Sequence, residues 1–312
     1  GLEVEERIPQ IDFNLGVAYL NLNQIDVARE YFQKAIDIDK EYTKAWYNLG
    51  STYEKELDFE RALEIYSDGL EAKPQSTLLA GGKINILRRM GQNDKALKEA
   101  KKSLEDNGNN LGALNAIGRI YMDEKRYDEA LFIFLTARTK PGGNVNPQIL
   151  ANQGRVMYLQ GDESAKNVLS DAIYYDSDMV PARLTLGAIY IENRLFEKAQ
   201  EVLEPALELE PNNIELLNSL GIVYRGINEP EKAIEFYRKV LDLDAGDPVT
   251  LLNISIIQAE HLKNYPEAIA TIEEYLKKGK QEKKLALQWK KEYQTAFDEQ
   301  EKKRKEEELR AA

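Results

Sequence analysis

The sequence predicts an all-α solenoid of stacked helical hairpins, and three observations carry that reading. An apolar-Gly-x-x-Tyr pattern recurs on a 34-residue beat, an alanine series keeps the same beat twelve residues later, and apolar residues within each unit fall at helical spacing. The glycine series runs Leu15-Gly16 with Tyr19, Leu49-Gly50 with Tyr53, Ile117-Gly118 with Tyr121, Leu186-Gly187 with Tyr190 and Leu220-Gly221 with Tyr224. Gly16 to Gly50 is 34 residues, Gly50 to Gly118 is twice 34, and Gly187 to Gly221 is 34 again. The alanines are Ala28, Ala62, Ala96, Ala130, Ala199 and Ala233; Ala165 and Ala268 join them after a one-residue change in length.

The second unit shows the layout of one hairpin. Ala45, Trp46, Tyr47, Leu49, Gly50 and Tyr53 form a first amphipathic stretch. The polar link Leu57-Asp58-Phe59-Glu60 follows, then Ala62, Leu63, Tyr66, Gly69 and Leu70, ending at Pro74. Small residues let two helix backbones approach, so Gly50 is expected to face Ala62, with Leu49, Tyr53 and Tyr66 filling the gaps around them. Such a hairpin leaves an apolar face open on each side. Only a neighbouring hairpin can cover it, so the units must stack.

Trp46, Leu49-Gly50, Tyr53, Ala62, Tyr66 and Pro74 in a 34-residue frame resemble the tetratricopeptide repeat. The resemblance implies about eight repeats at 9–42, 43–76, 77–110, 111–144, 147–179, 180–213, 214–247 and 248–282, wound as a right-handed α-α superhelix. Residues 1–8 are then an N-terminal extension and 283–312 a C-terminal capping helix with a charged tail. Leu285, Trp289, Tyr293 and Phe297, four residues apart, supply the apolar stripe of that cap. Three units depart from the pattern. The third has Ile84 where glycine is usual, the fifth is one residue short near Gly161-Asp162-Glu163, and the eighth has Ser255 for glycine and Gln258 for tyrosine.

Composition narrows the function. With 42 Lys and Arg against 54 Asp and Glu, the formal net charge is -12, which repels phosphate backbones and argues against nucleic acid as a partner. No apolar run reaches the roughly 20 residues of a membrane span. Tyrosines outnumber phenylalanines by 17 to 8, which suits half-buried helix interfaces. The absence of cysteine removes disulfides, thiolate nucleophiles and Cys-ligated zinc, and tilts the reading towards an exported bacterial protein of the periplasm or cell envelope rather than the cytoplasm. The chain opens on Gly1 rather than Met, so residues are expected to precede it in the native protein.

Signals for catalysis, metal or cofactor do not hold together. His261 is the only histidine, so neither a His-ligand pair nor a serine-type triad can be assembled. Gly81-Gly82-Lys83 lacks the glycine that a phosphate loop needs five residues upstream and has Ile84 where it needs Ser or Thr. Asp242-Leu243-Asp244-Ala245-Gly246-Asp247 resembles the start of a calcium loop, but Asp247 and Asn253 stand where glycine and a bidentate glutamate belong. The expectation is a chain that is not an enzyme and holds no metal or cofactor.

What remains is a protein-binding surface. In the family the first helices line the concave groove, which implies two kinds of lining here. Asn85, Arg88, Arg89, Asn115, Arg119, Asn152, Arg155 and Tyr158 form a basic and amide-rich stretch suited to an acidic, extended segment, because Arg forks pair with carboxylates and Asn can grip backbone N–H and C=O. Acidic residues are expected mostly on the outer helices and links. Leu184, Ile191, Ile222, Leu252 and Ile256 form a second, apolar stretch suited to an amphipathic helix. The two-carboxylate clamp of chaperone-binding members falls at Phe13, Val17, Asn48, Leu78 and Gly82, where only Asn48 matches. The function expected is a scaffold or assembly factor for another protein, with self-association possible. Two alternatives stand beside it: a cell-envelope lipoprotein for pilus, secretion or gliding-motility assembly, and the substrate-recruiting arm of a larger enzyme.

Overall fold

The computed structural model describes residues 8–244, 247–278 and 283–311. The expected extension up to residue 7, the end of the eighth expected unit at 279–282, and Ala245-Gly246 of the calcium-like segment lie outside the described residues. The chain divides into two units, Gly1–Tyr175 and Asp176–Ala312. Each is a stack of antiparallel helical hairpins, with no strand among the described residues.

Unit 1 pairs α1 (Pro9–Asn21) with α2 (Ile25–Ile38), α3 (Thr43–Lys55) with α4 (Phe59–Ala72), and α5 (Thr77–Arg89) with α6 (Asn93–Asp106). It continues with α7 (Leu111–Asp123) on α8 (Tyr127–Arg138) and α9 (Pro147–Leu159) on α10 (Ala165–Tyr175). Unit 2 pairs α11 (Val180–Glu192) with α12 (Phe196–Leu203) and the short α13 (Ala206–Leu209), then α14 (Ile214–Gly226) with α15 (Pro230–Leu243). The next hairpin runs α16 (Pro248–Ile256), a π-turn at Ile257–His261, and α17 (Tyr265–Lys278), followed by α18 (Lys283–Ala311). The break between α12 and α13 falls at Pro205, whose missing N–H cannot continue the helical ladder.

The hairpins share three local devices. Ser76, Asn110, Asn146, Asn213 and Asp247 each cap a first helix by accepting from the backbone N–H two or three residues on, as their short polar side chains favour. Each link between first and second helix contains one left-handed residue: Asn23, Leu57, Gly91, Lys125, Gly161, Arg194, Asn228 and Lys263. In seven of them the next N–H reaches back five residues, as Asp58 does to the Tyr53 carbonyl at 3.0 Å, closing a Schellman-type end. The third device is the close approach of the paired helices. A Cβ on Gly16, Gly50, Gly118 or Gly221 would stand 2.5–2.6 Å from the ring of Phe32, Tyr66, Phe134 or Tyr237. The glycine therefore faces the aromatic sixteen residues on rather than Ala62, its expected partner; the alanine is buried beside that contact and keeps the second helix close.

The departures from the pattern have local solutions. Ile84 is fully buried in one cluster with Ala100, which stands sixteen residues on where other hairpins have an aromatic, and Gly82 faces the Tyr66 ring of the preceding hairpin instead. The fifth hairpin loses its residue in a tight turn, where Asp162 accepts from the Ser164 N–H at 2.8 Å and hydroxyl at 2.7 Å. The eighth hairpin carries one residue more, since Ser255 to Ala268 spans 13 residues where Gly50 to Ala62 spans 12. The π-turn absorbs it, and the Asn264 N–H reaches back six residues, to Gln258, instead of five. Along α18, Ala286 and Tyr293 are buried and Trp289 half-buried against Ala268, Ile272 and Tyr275, while residues 302–311 are exposed.

Two candidate partner-binding faces

In unit 1 the first helices α3, α5, α7 and α9 pack side by side, and residues one repeat apart meet across them. Arg119 donates to Asn85 Oδ1 at 3.3 Å and Asn152 donates to Asn115 Oδ1 at 2.8 Å. Arg88 also reaches Asn85 Oδ1, at 3.4 Å. Burial, reinforced by the charges of Arg88, Arg155 and Arg89, pulls the Arg119 guanidinium down to about 10, against the opposing pull of Asp123. Four arginines thus share one electrostatic neighbourhood.

Two of those arginines are already neutralised, by carboxylates of neighbouring first helices. Arg88, only 13% exposed, pairs with Asp123 at the end of α7. Arg89 pairs with Glu54 of α3 at 3.2 Å and lies over the Phe59 ring, with its guanidinium carbon 4.5 Å from the ring centroid. Glu54 also accepts from the Tyr66 hydroxyl. Arg119 and Arg155 have no carboxylate partner among the described residues. Arg119 is half-buried and Arg155 exposed. The asparagines are part-used as well: Asn85 and Asn115 spend their oxygens on neighbours and keep their N–H donors. Tyr158 is half-buried on α9.

Unit 2 presents a different face on α11, α14 and α16. Leu184, Ile191, Ile222, Leu252 and Ile256 are half-buried, and the first three pack against the core of Leu220, Tyr237 and Ile254. The polar groups among them are Asn218, which accepts from the Thr250 hydroxyl at 3.2 Å, and Arg225. The surface is a low apolar wall rather than an open trough of exposed side chains.

The remaining sequence candidates fall into structural roles. Lys83 pairs with Glu99 at 3.4 Å on a regular helix, Asp247 is a helix cap, and His261 ends the π-turn. Phe13 packs on Phe32 and Tyr42, and Asn48 bonds the Lys44 carbonyl at 2.9 Å. Among the described residues no three metal-ligating side chains cluster, and no helix is long and apolar enough to cross a membrane.

Hairpins that leave an apolar face for a neighbour, closed by a final amphipathic helix, define an α-helical repeat solenoid. Tetratricopeptide repeat profiles match residues 13–77 and 82–144, 163–221, and 214–247. The chain belongs to the tetratricopeptide repeat family and has the fold of a protein-interaction scaffold. Protein O-mannosyl-transferase TMTC3 of Homo sapiens is 27% identical over 253 residues, 78% of this chain and 25% of that protein. BBSome complex member BBS4 of Bos taurus is 23% identical over 249 residues, 80% of this chain and 47% of that one. The chain thus spans a quarter to a half of the curated relatives it matches. Among solved structures, the APC/C hetero-tetramer Cut9-Hcn1 aligns with a TM-score of 0.56 at 17% identity, covering 89% of this chain and 68% of that one. The human IFIT1 dimer with m7Gppp-AAAA gives 0.54 at 17%, covering 87% and 72%. At these identities the likeness is one of fold.

Proposed function

We propose that this chain is a non-catalytic adaptor of eight repeats capped by α18, and that its α5–α7–α9 face holds an acidic, extended segment of a partner protein. The observation that carries the reading is Arg119: a half-buried guanidinium, crowded by three other arginines, with no carboxylate paired to it among the described residues. A buried cation in that state gains most when a partner supplies the missing charge. Arg155 extends the patch to the surface, and the free N–H donors of Asn85 and Asn115 suit the carbonyls of an extended peptide. The net charge of -12 repels the same segment elsewhere, which directs docking. Affinity capture from native lysate, followed by mass spectrometry, tests the reading with Arg119→Glu/Arg155→Glu as control. Partners captured by the wild type and lost by the variant support it; the same set on both contradicts it.

A second reading is favoured by the match to an O-mannosyl-transferase: the repeats serve as the substrate-recruiting arm of a longer enzyme. The mass of the native polypeptide tests it, because that reading requires a catalytic domain on the same chain.

A further inference from the structure

Tyr66 and Tyr237 hold the same place in their hairpins. Each ring lies against the glycine of its first helix, Gly50 or Gly221. Their hydroxyls end differently. Tyr66 donates to Glu54, four residues beyond Gly50. Four residues beyond Gly221 stands Arg225, which offers donors and no acceptor. The Tyr237 hydroxyl is buried and has no hydrogen-bond partner among the described residues. Burial pushes it up to about 12, and the Arg225 charge draws it back. Arg225 itself makes no ion pair among the described residues. A buried donor and an unpaired guanidinium therefore share one neighbourhood, and both lack the same thing, an acceptor.

Their surroundings are apolar. Ile222 lies one turn before Arg225 on α14. Ile191 on α11 is 34 residues before Arg225, and Ile256 on α16 is 34 residues after Ile222. That offset puts side chains of adjacent first helices in contact in unit 1, as between Asn85 and Arg119. All three isoleucines are half-buried. A free anion would meet the donors but make no use of this wall. A segment with apolar residues and one carboxylate would use both.

We propose that the α11–α14–α16 face of unit 2 is a second docking site, taking an amphipathic helical segment of a partner protein. The segment sets one Asp or Glu carboxylate on Arg225 and the Tyr237 hydroxyl, and its apolar residues on Ile191, Ile222 and Ile256. One carboxylate oxygen accepts from the guanidinium and the other from the phenol. The hydroxyl is buried, so the segment uncovers it on docking.

The probe is a fluorescein-labelled 14-residue amphipathic peptide of Leu, Ala, Ser and Gln with one central Glu, read by anisotropy beside its Gln twin. The wild type should bind the Glu peptide about tenfold more tightly than the twin, the size of a charge-assisted hydrogen bond. Arg225→Gln and Tyr237→Phe should each remove most of that preference. Tyr237→Phe should melt at or above the wild-type temperature, because it deletes a buried hydroxyl that bonds nothing. Arg119→Glu/Arg155→Glu, in unit 1, should leave the preference intact. Equal affinity for the twins, a preference kept by both unit 2 variants, or a lowered melting temperature for Tyr237→Phe would overturn the proposal. So would loss of the preference in the unit 1 variant, which would move the peptide to the basic face.

Discussion

Gly50 in unit 1 and Gly221 in unit 2 meet tyrosine rings at matching places, yet four residues later the two units diverge. In unit 1 that place is Glu54, which closes a network with Tyr66 and Arg89. In unit 2 it is Arg225, which makes no ion pair among the described residues. The same split holds across the faces: α5, α7 and α9 carry arginine and asparagine where α11, α14 and α16 carry isoleucine and leucine. Buried positions are set by the distance between paired helices, so they repeat. The positions on the first-helix faces are not held by that distance, so they differ between the units, and the proposed specificity rests on them.

The largest expected effect tests the shared half of this comparison. Gly118→Val in unit 1 and Gly221→Val in unit 2 each drive a branched side chain into a ring that would lie 2.5–2.6 Å from its Cβ. Each should cost ~3 kcal/mol in thermal or denaturant unfolding. Ala62→Leu and Ala130→Leu, at fully buried alanines, should cost ~1–3 kcal/mol. A variant that melts like the parent would show that its hairpin does not use this contact.

The next separates the units. Ending the chain after Lys278 uncovers Ala268, Ile272 and Tyr275, which α18 covers. Scattering should report aggregation, and the transition of unit 2 should broaden while that of unit 1 stays sharp. Ending it after Asp298 should change little, because residues 302–311 are exposed. An equally stable, soluble 1–278 chain would remove α18 as a cap. The smallest effect sharpens the account of the basic face. Asp123→Asn frees Arg88 from its ion pair and should cost ~1 kcal/mol of stability, since Arg88 is largely buried while the Asp123 side chain is 47% exposed. It should also tighten binding of an acidic peptide about threefold in an anisotropy titration. Weaker binding would mean that Arg88 acts only while paired.

Much of this was legible in the sequence, for a physical reason. Gly16, Gly50, Gly118 and their alanines are constrained by helix approach, and a constraint that recurs every 34 residues shows as a period. The ring partner was not legible, because Tyr66 and Phe134 sit in apolar stripes where any of several residues could fill the gap. Nor was the pairing of Arg88 with Asp123 and Arg89 with Glu54. Both pairs are 35 residues apart, one repeat plus one, and that offset was the available signal. The π-turn was announced by the extra residue between Ser255 and Ala268, although only the backbone shows where it is absorbed. The orphaned Tyr237 hydroxyl needed the structure, since its meaning lies in Arg225 standing where Glu54 does.

The central claim is that unit 1 selects acidic segments through Arg119 and Arg155. An array of overlapping protein segments, some ending in a free carboxylate, probed with wild type and with Arg119→Glu/Arg155→Glu at matched melting temperature, tests it most directly. The account predicts that the wild type retains segments rich in Asp, Glu or terminal carboxylate, that retention falls with salt, and that the variant loses them. Retention of the same segments by both proteins, or selection by the wild type without regard to acidity, would contradict it.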